Sequence, residues 1–509
     1  MISSRLPRAR IAPLLVAVGA ILAACGGQDA GAIVPIPTPS SSPAADPALR
    51  EFYEQQVSWS DCGGAQCAHI EVPLEYAHPG RATLSLNVTR LPASGQSLGA
   101  LFVNPGGPGG SAFDYARSAP LSLPREINEH YDIIGVDPRG VGTSDPVVCL
   151  TDAQRDELAS VDFSDESPAG QARLVSVSRQ PAAGCQAKAD PEYAFVGTRD
   201  VARDLDIVRA LVGDPSFNYL GKSYGTAIGV RYAELFPERV GRMVLDGVLP
   251  TDLGLEEVTA GQAAGLEDSL LDFARYCASG EDCPFTGDAS QVAEQLRAFI
   301  GSLNRSPLPV DGRELNGSLA LNAVASFLYF PATDYPRLRS ALAAAADGDG
   351  APLLGLLDER TSRRADGRYA TNSADAFLAV SCLDRQYAAS ASDVAAIAKS
   401  WAKRFPTFGA GLAWGLAPCV DWPVTGAGPT RVNISRTAPI LVVSTTHDPA
   451  TPYMWGERLS RQIEDAGLLS WDAYNHTAYR QGSGCIDQVV DAYLLQGNSP
   501  TANAVCAGK

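Results

Sequence analysis

A serine flanked by small residues is the strongest chemical signal in the sequence. The segment Gly221-Lys222-Ser223-Tyr224-Gly225 follows an apolar, β-like run at residues 217–220 and precedes a helix-like run at 226–236. A serine on a tight strand-to-helix turn adopts strained backbone angles, and the residues two positions to either side must be small for the turn to close. The pattern predicts a nucleophile elbow at Ser223; an ordinary glycine-bounded turn is the alternative.

A second predicted strand, residues 101–103, leads into a loop of glycine and proline. Residues 104–111 read Asn-Pro-Gly-Gly-Pro-Gly-Gly-Ser. Such a loop can bring backbone N–H groups against a developing oxyanion, because no Cβ atoms stand in the way. Glycine-rich loops also hold phosphates, but the loop has no GxGxxG spacing and no Gly-Lys-Ser/Thr follows it, so nucleotide binding is the weaker interpretation.

Two aspartates could serve as the acid of a Ser-His-Asp triad. Asp448 follows a buried-strand pattern at residues 439–444, and acids at the carboxyl end of a parallel strand point into the active-site crevice. Asp246 ends the earlier strand-like run 243–245, where it could instead accept backbone N–H groups at the following turn. Both fit the chain order Ser, acid, His; Asp448 is the favoured acid, and Asp246 remains the alternative.

The general base is assigned by elimination, because the chain has only five histidines. His69, His78 and His130 precede the serine, and His447 adjoins the acid that it would have to face. His476 follows a strand-like run at 468–474 and is the one in position. It would accept the Ser223 proton while Asp448 fixes its tautomer, with a lone surface histidine as the alternative.

These motifs, in this order, resemble those of the secreted tripeptidyl aminopeptidases of high-GC Gram-positive bacteria, which are related to the proline iminopeptidases within the α/β-hydrolase fold. The similarity includes residues 104–111, the turn 137–144, the elbow and the region from about 437 to 506, and it extends over nearly all of the mature chain. The resemblance implies an oxyanion hole formed by the backbone N–H groups of Gly107 and Tyr224. The sequence departs from the family pattern at Thr446-His447, just before the acid, and at Asn475, where the family commonly has glycine.

The amino terminus resembles a bacterial export signal. Three arginines precede an apolar run that is too short to span a bilayer, which takes about 20 residues, and the run ends in Leu22-Ala23-Ala24-Cys25. We expect residues 1–24 to be a signal peptide and Cys25 to become lipidated, with cleavage that leaves an unmodified thiol as the alternative. The Pro, Ser, Ala and Gly-rich segment 25–48 is expected to be a flexible tether. The predicted location is the cell envelope, on the outer face of the plasma membrane.

Ten cysteines remain once Cys25 is set aside, and an even number outside the cytoplasm favours disulfides. Sequence does not fix their connectivity; nearest-neighbour pairing suggests 62 with 67, 149 with 185, 277 with 283, 382 with 419 and 485 with 506. No metal or cofactor is predicted, because CxxC pairs are missing and the histidines are few and scattered. The net charge of −17 argues against nucleic acid and suits a cationic group such as a peptide α-amine.

Strand-like and helix-like runs alternate along the chain, which predicts an α/β fold with a mostly parallel sheet covered by helices on both faces. Segments with helical periodicity between Asp246 and Pro439 predict a large cap inserted over Ser223. The expected organisation is a core at 49–250, a helical cap at 251–430 and the remainder of the core at 431–509. The predicted strands are 67–76, 82–91, 99–103, 131–136, 217–220, 242–245, 439–444 and 468–474, and the predicted cap helices are 255–276, 289–303, 318–328, 335–346 and 393–404.

Together with the resemblance, these residues predict a serine exopeptidase that releases short fragments, tripeptides by resemblance, from peptide or protein amino termini. Thr451 is a candidate support for the acid loop. Asp384, two residues after Cys382, is a candidate partner for the substrate α-amine, with a surface role or pairing with Arg385 as the alternative. A cell-envelope carboxylesterase or lipase would use the same triad. A cap that presents carboxylates favours the peptidase, and an apolar trough favours the esterase.

Overall fold

The computed structural model describes residues 46–189, 191–387, 389–499 and 503–508. The predicted signal peptide, Cys25 and most of the predicted tether lie outside the described residues. At the end of the tether, the Asp46 side chain accepts a hydrogen bond from the Ala48 N–H and caps a short turn at Pro47–Leu49.

Ten of the described strands form one twisted sheet, and two short ones form a separate hairpin. The strands are β1 (Ser60–Asp61), β2 (Gln66–Pro73), β3 (Thr83–Leu91), β4 (Ala100–Asn104), β5 (Asp132–Val136), β6 (Phe217–Lys222), β7 (Val240–Asp246), β8 (Leu308–Val310), β9 (Arg313–Leu315), β10 (Ile440–His447), β11 (Ala466–Tyr474) and β12 (Ala504–Cys506).

Helices cover both faces of the sheet and make up most of the segment between β7 and β10. They are α1 (Arg50–Tyr53), α2 (Ala112–Arg117), α3 (Ala119–Ser122), α4 (Arg125–His130), α5 (Asp152–Ser160), α6 (Pro168–Ser178), α7 (Gln180–Lys188), α8 (Thr198–Leu211), α9 (Tyr224–Leu235), α10 (Leu255–Ala278), α11 (Ala289–Arg305), α12 (Gly317–Ser326), α13 (Pro331–Ala346), α14 (Ala351–Thr361), α15 (Ser373–Asp384), α16 (Ala391–Arg404), α17 (Gly409–Trp414), α18 (Tyr453–Ser460) and α19 (Gly484–Gln496).

The large sheet has the order β1-β2-β3-β5-β4-β6-β7-β10-β11-β12. The strands from β5 to β12 in this order pair in parallel, and the first three join antiparallel at one edge. Every residue of β4, β6 and β7 is buried, as expected for strands with helices on both faces. The predicted α/β-hydrolase fold is confirmed.

Eight of the described helices and the β8–β9 hairpin lie in the segment between β7 and β10, which we call the helical insertion (residues 251–430). Two apolar clusters hold it together, one around Phe273, Leu296 and Leu342, the other around Val394 and Trp401. The amphipathic pattern of α11 explains its packing, because Val292, Leu296 and Ile300 form one buried stripe. The insertion therefore has its own cores and could hold side chains rigidly over the sheet.

All five suggested cysteine pairings are present: Cys62–Cys67, Cys149–Cys185, Cys277–Cys283, Cys382–Cys419 and Cys485–Cys506. Each pair is close in sequence, with separations between 5 and 37 residues. Within the part of the chain that the structure describes, no helix has the length and apolarity needed to cross a bilayer.

The strands and helices named from sequence are found, with ends shifted by a few residues. The predictions missed β1, β8, β9, β12 and three helices of the insertion: α14, α15 and α17. Ala376, Ala379, Val380 and Leu383 form one buried face of α15, but the apolar Phe377 is exposed on the opposite side, so the sequence of this helix carries little amphipathic periodicity. Tertiary packing forms this helix where the pattern alone gave no signal.

Candidate active site

Ser223 lies on a sharp turn between β6 and α9. Its φ of 54° and ψ of −123° place a non-glycine residue at positive φ, the strain expected of a nucleophile elbow. A Cβ at Gly221 would lie 2.6 Å from the carbonyl oxygen of Gly225, and one at Gly225 would lie 2.9 Å from that of Asn104. Both glycines are therefore required by close backbone contacts, as the sequence pattern indicates.

Asp448 is buried at the turn after β10, where it contacts the imidazole of His476. His476 Nδ1 lies 2.9 Å and 3.1 Å from the two carboxylate oxygens. Asp448 also accepts hydrogen bonds from the N–H groups of Ala450, Thr451 and Thr477 and from the Thr451 hydroxyl at 2.8 Å. Because a carboxylate only accepts, Nδ1 carries the proton and Nε2 is left to act as a base.

Asp246, the alternative acid, is fully buried and binds backbone groups instead. Its carboxylate accepts the N–H groups of Ala478 at 2.8 Å and Tyr479 at 3.0 Å. Its carbonyl oxygen accepts the N–H of Ser223 at 2.9 Å. Burial, the largest cause, raises the pKa of the Asp246 carboxyl. Asp246 thus fixes the His476 loop to the elbow, and the backbone N–H groups that its carboxylate binds lie in this distant loop rather than in the following turn considered from sequence.

Two aromatic residues of the helical insertion cover His476. The carbonyl oxygen of Tyr329 accepts the His476 backbone N–H at 2.8 Å, and the ring centroids of Tyr329 and His476 are 5.1 Å apart in an edge arrangement. The Phe330 ring lies 6.3 Å away, and His476 is only 7% exposed. Neither aromatic was identified from sequence, because a Tyr-Phe pair after a helix carries no catalytic signal.

The Asn104–Ser111 loop packs directly against the elbow. A Cβ at Gly106 would lie 2.8 Å from the Ser223 Cβ and 3.0 Å from the backbone nitrogen of Tyr224. Gly107 has a φ of 115°, and within the described part of the chain no hydrogen-bond acceptor is found for its N–H. The loop and the first N–H of α9 are therefore close enough for backbone donors to converge beside Ser223.

The two departures noted at the site have defined contacts. The Asn475 amide donates to the carbonyl oxygens of His476 and Thr477, both at 2.9 Å, so it stabilises the histidine loop from within. His447 Nδ1 lies 2.7 Å from Asp268 of α10, and its ring stacks on Tyr474 with centroids 4.1 Å apart. Across the described residues, no group of three potential metal ligands occurs.

Asp384 is half-buried beside the start of α8. It accepts hydrogen bonds from both the backbone N–H and the hydroxyl of Thr198, while Arg385 donates to the Pro250 carbonyl oxygen at 2.7 Å. The carboxylate therefore has neither of the alternative roles considered from sequence, a surface position or an ion pair with Arg385. Its contacts with Thr198 also leave it a poor candidate for a substrate amine.

Comparison with known proteins agrees with this architecture. Residues 404–506 match the family model described as TAP-like protein. Serine protease Hip1 of Mycobacterium tuberculosis is 36% identical over 476 residues, covering 89% of this chain and 91% of that protein. Carboxylesterase B of the same species is 38% identical over 490 residues, covering 94% and 92%. The tripeptidyl aminopeptidase of Streptomyces coelicolor is 29% identical over 468 residues, covering 89% and 86%.

The fold and the site define the class of protein, an α/β-hydrolase enzyme of the serine hydrolase type. Similarity over nearly the whole length places the chain more narrowly. It belongs to the tripeptidyl aminopeptidase family that these relatives represent.

Proposed function

We propose that the protein is a serine exopeptidase that releases short fragments, tripeptides in particular, from the amino termini of peptides. Two kinds of relative support this proposal by name, a serine protease and a tripeptidyl aminopeptidase. The geometry supports the same chemistry, because a strained serine packs against a glycine-rich loop, and Asp246 binds the backbone of both this serine and the loop that carries a carboxylate-bound histidine.

In the proposed mechanism, Ser223 attacks the scissile carbonyl carbon as His476 Nε2 takes its proton. Asp448 holds His476 in the productive tautomer and stabilises the imidazolium that forms. The N–H groups of Gly107 and Tyr224 donate to the oxyanion. His476 then protonates the leaving amine, and water, activated by the same histidine, hydrolyses the acyl-enzyme to release the amino-terminal fragment.

The observation that supports a peptide is the set of charged side chains within the mixed lining of a cavity of about 1040 Å³ between α5, α12, α14 and α15. Asp156 and Asp358 line it, paired with Arg363 at 2.8 Å and Arg313 at 2.6 Å, and Glu314 adds a third, exposed carboxylate. A peptide presents amides and an amine that these charged groups can bind, and side chains that the apolar part of the lining can accept.

Two of the elements that line this cavity continue to residues that contact the proposed site. Ala374 lines it, and the preceding residue, Ser373, contacts the oxyanion loop, since a Cβ on Gly109 would lie 2.5 Å from the Ser373 carbonyl oxygen. Ser326 also lines the cavity, three residues before Tyr329, whose carbonyl oxygen accepts the His476 backbone N–H. We therefore propose that the helical insertion acts as a cap that carries the peptide-binding cavity.

A carboxylesterase is the second candidate, because a 38% identical relative carries that name. The decisive experiment measures kcat/KM for a tripeptide amide with a free amino terminus, for its acetylated form and for a short acyl ester. The exopeptidase predicts that acetylation lowers kcat/KM by at least ~10²-fold, because the charged amine loses its partner. Equal cleavage of both amides would instead support an endopeptidase or the esterase, and cleavage of the ester with no cleavage of either amide would support the esterase.

The Ser223→Ala variant serves as the control for every substrate. It should lose labelling by a serine-directed fluorophosphonate and nearly all turnover while keeping the wild-type melting temperature. Labelling at a different serine would contradict the assignment of the nucleophile.

We also propose that the enzyme is exported and anchored through a lipid on Cys25. The five disulfides support an oxidising compartment. When Cys25→Ser is expressed in an actinobacterial host, the protein should move from the membrane fraction to the soluble fraction, because the lipid attached through the thiol is lost. Unchanged partitioning into detergent would show that another part of the chain holds it there.

A further inference from the structure

Helix α15 of the helical insertion supplies a carboxylate to the start of a core helix. Asp384, the last residue of α15, accepts the backbone N–H of Thr198 at 3.0 Å and also the Thr198 hydroxyl. Thr198 is the first residue of α8, and its N-cap residue is Gly197, which has no side chain to bind the free N–H groups. A carboxylate at this end of a helix is favoured by both hydrogen bonding and the helix dipole.

The same hydroxyl connects Asp384 to the residue after the nucleophile. Thr198 Oγ1 lies 2.8 Å from the phenol oxygen of Tyr224, and both residues are buried. Thr198 has a single hydroxyl proton, and the carboxylate can only accept, so Thr198 donates to Asp384 and Tyr224 donates to Thr198. The hydrogen bonds thus have one direction, from Tyr224 through Thr198 to Asp384.

The other end of α15 meets the second half of the proposed oxyanion hole. Ser373, its first residue, packs so closely on Gly109 that a Cβ there would lie 2.5 Å from the Ser373 carbonyl oxygen. Asn372, just before the helix, donates to the carbonyl oxygens of Gly140 and Val147 at 2.8 Å and 2.9 Å. The Cys382–Cys419 disulfide holds the end that carries Asp384. Helix α15 is therefore fixed at both ends.

We infer that Asp384 and Thr198 are positioning residues for the oxyanion hole, through which the helical insertion sets the alignment of the Tyr224 N–H with the Gly107 N–H. This inference rests on the acyl-transfer chemistry proposed at Ser223. Tyr224 begins α9, so a displacement of its ring rotates the first turn of that helix and moves its N–H relative to the oxyanion. The role differs from substrate binding, since Asp384 contacts Thr198 and acts through it.

The test compares Thr198→Val, Thr198→Ser and Asp384→Asn with the wild type. Loss of one oxyanion donor costs 10²–10³ in kcat, so a displaced donor should cost about tenfold in kcat, with KM changed less than about twofold. Thr198→Ser keeps the hydroxyl and should recover most of the activity. Asp282→Asn is the control, because Asp282 is also an insertion carboxylate but pairs with Arg339 of α13; it should leave kcat unchanged.

Phosphonylation by a small fluorophosphonate separates this inference from the proposed substrate. The reagent reacts with the serine of a peptidase and of an esterase alike, so slower labelling of Thr198→Val than of Thr198→Ser supports the positioning role in either case. A fall in melting temperature with unchanged kcat and labelling would overturn it, as would a rise in KM alone, which would indicate substrate contact. If Asp384→Asn does not fold, the two Thr198 variants decide the question.

Discussion

The carbonyl oxygen of Asp246 accepts the backbone N–H of Ser223 at 2.9 Å. The carboxylate of the same aspartate binds the N–H groups of Ala478 and Tyr479, just beyond His476. One residue therefore holds the elbow and the histidine loop in register, although it does not contact the imidazole as Asp448 does. The two aspartates therefore have different roles: Asp246 stabilises the elbow and the histidine loop, and Asp448 orients the general base, His476.

This division predicts different costs for two substitutions. Asp448→Asn should lower kcat on the order of 10⁴-fold, because His476 is left in the wrong tautomer. Asp246→Asn should cost far less in kcat and more in melting temperature, because backbone N–H groups lose a buried acceptor. Steady-state kinetics and thermal melts of both variants provide the measurement, and the reverse ranking of kcat would move the acid to the earlier strand.

Gly106 should be intolerant of any side chain. A Cβ there would lie 2.6 Å from the Lys222 carbonyl oxygen and 2.8 Å from the Ser223 Cβ, and its φ of 97° is unfavourable for other residues. Gly106→Ala should therefore push the oxyanion loop from the elbow and lower kcat/KM at least about 10²-fold. Gly301→Ala in α11 is the control, because a Cβ there meets no atom within 4 Å. Equal activity of both variants would contradict the proposed oxyanion loop.

The Thr451 hydroxyl should support the acid, the role considered for it from sequence. It donates to Asp448 Oδ2 at 2.8 Å inside the buried site. Thr451→Val removes a hydrogen bond to a charged group, which is worth 1.5–3 kcal/mol, and should lower kcat about tenfold or more. Thr451→Ser retains the hydroxyl and should keep most of the activity. A shift of the kcat pH profile in the valine variant alone would tie the loss to the Asp448–His476 pair.

Sequence predicted those parts of the molecule whose signals are local. Ser223, Asp448 and His476 each follow a predicted strand, so the strand patterns and the order of these residues in the chain were sufficient to propose them. Tyr329, Phe330 and the bond between Thr198 and Asp384 depend on contacts between segments far apart in the chain. Asp384 was singled out for its closeness to Cys382, but its partner Thr198 lies 186 residues away, and only the packing of α15 on α8 brings them together.

Asp491 of α19 provides a prediction about stability and pH. Burial raises the pKa of the Asp491 carboxyl from 3.8 to about 6, although the carboxyl accepts a hydrogen bond from the Tyr479 hydroxyl. A raised pKa in the folded state means that folding favours the protonated acid. The resulting stabilisation is complete below about pH 4 and is lost as the pH rises through about 6.

The Asp491→Asn variant removes this titration while its amide oxygen still accepts the Tyr479 hydroxyl. At pH 7.5 it should raise the free energy of unfolding by roughly 1–2 kcal/mol, a value reduced for the partial exposure of the carboxyl, and it should give little or no gain at pH 4. Melting temperatures of both proteins at the two pH values measure the difference. Asp421→Asn, at a side chain 69% exposed, is the control and should shift neither curve. A gain of equal size at pH 4 and pH 7.5 would show that the effect of Asp491→Asn is unrelated to ionisation.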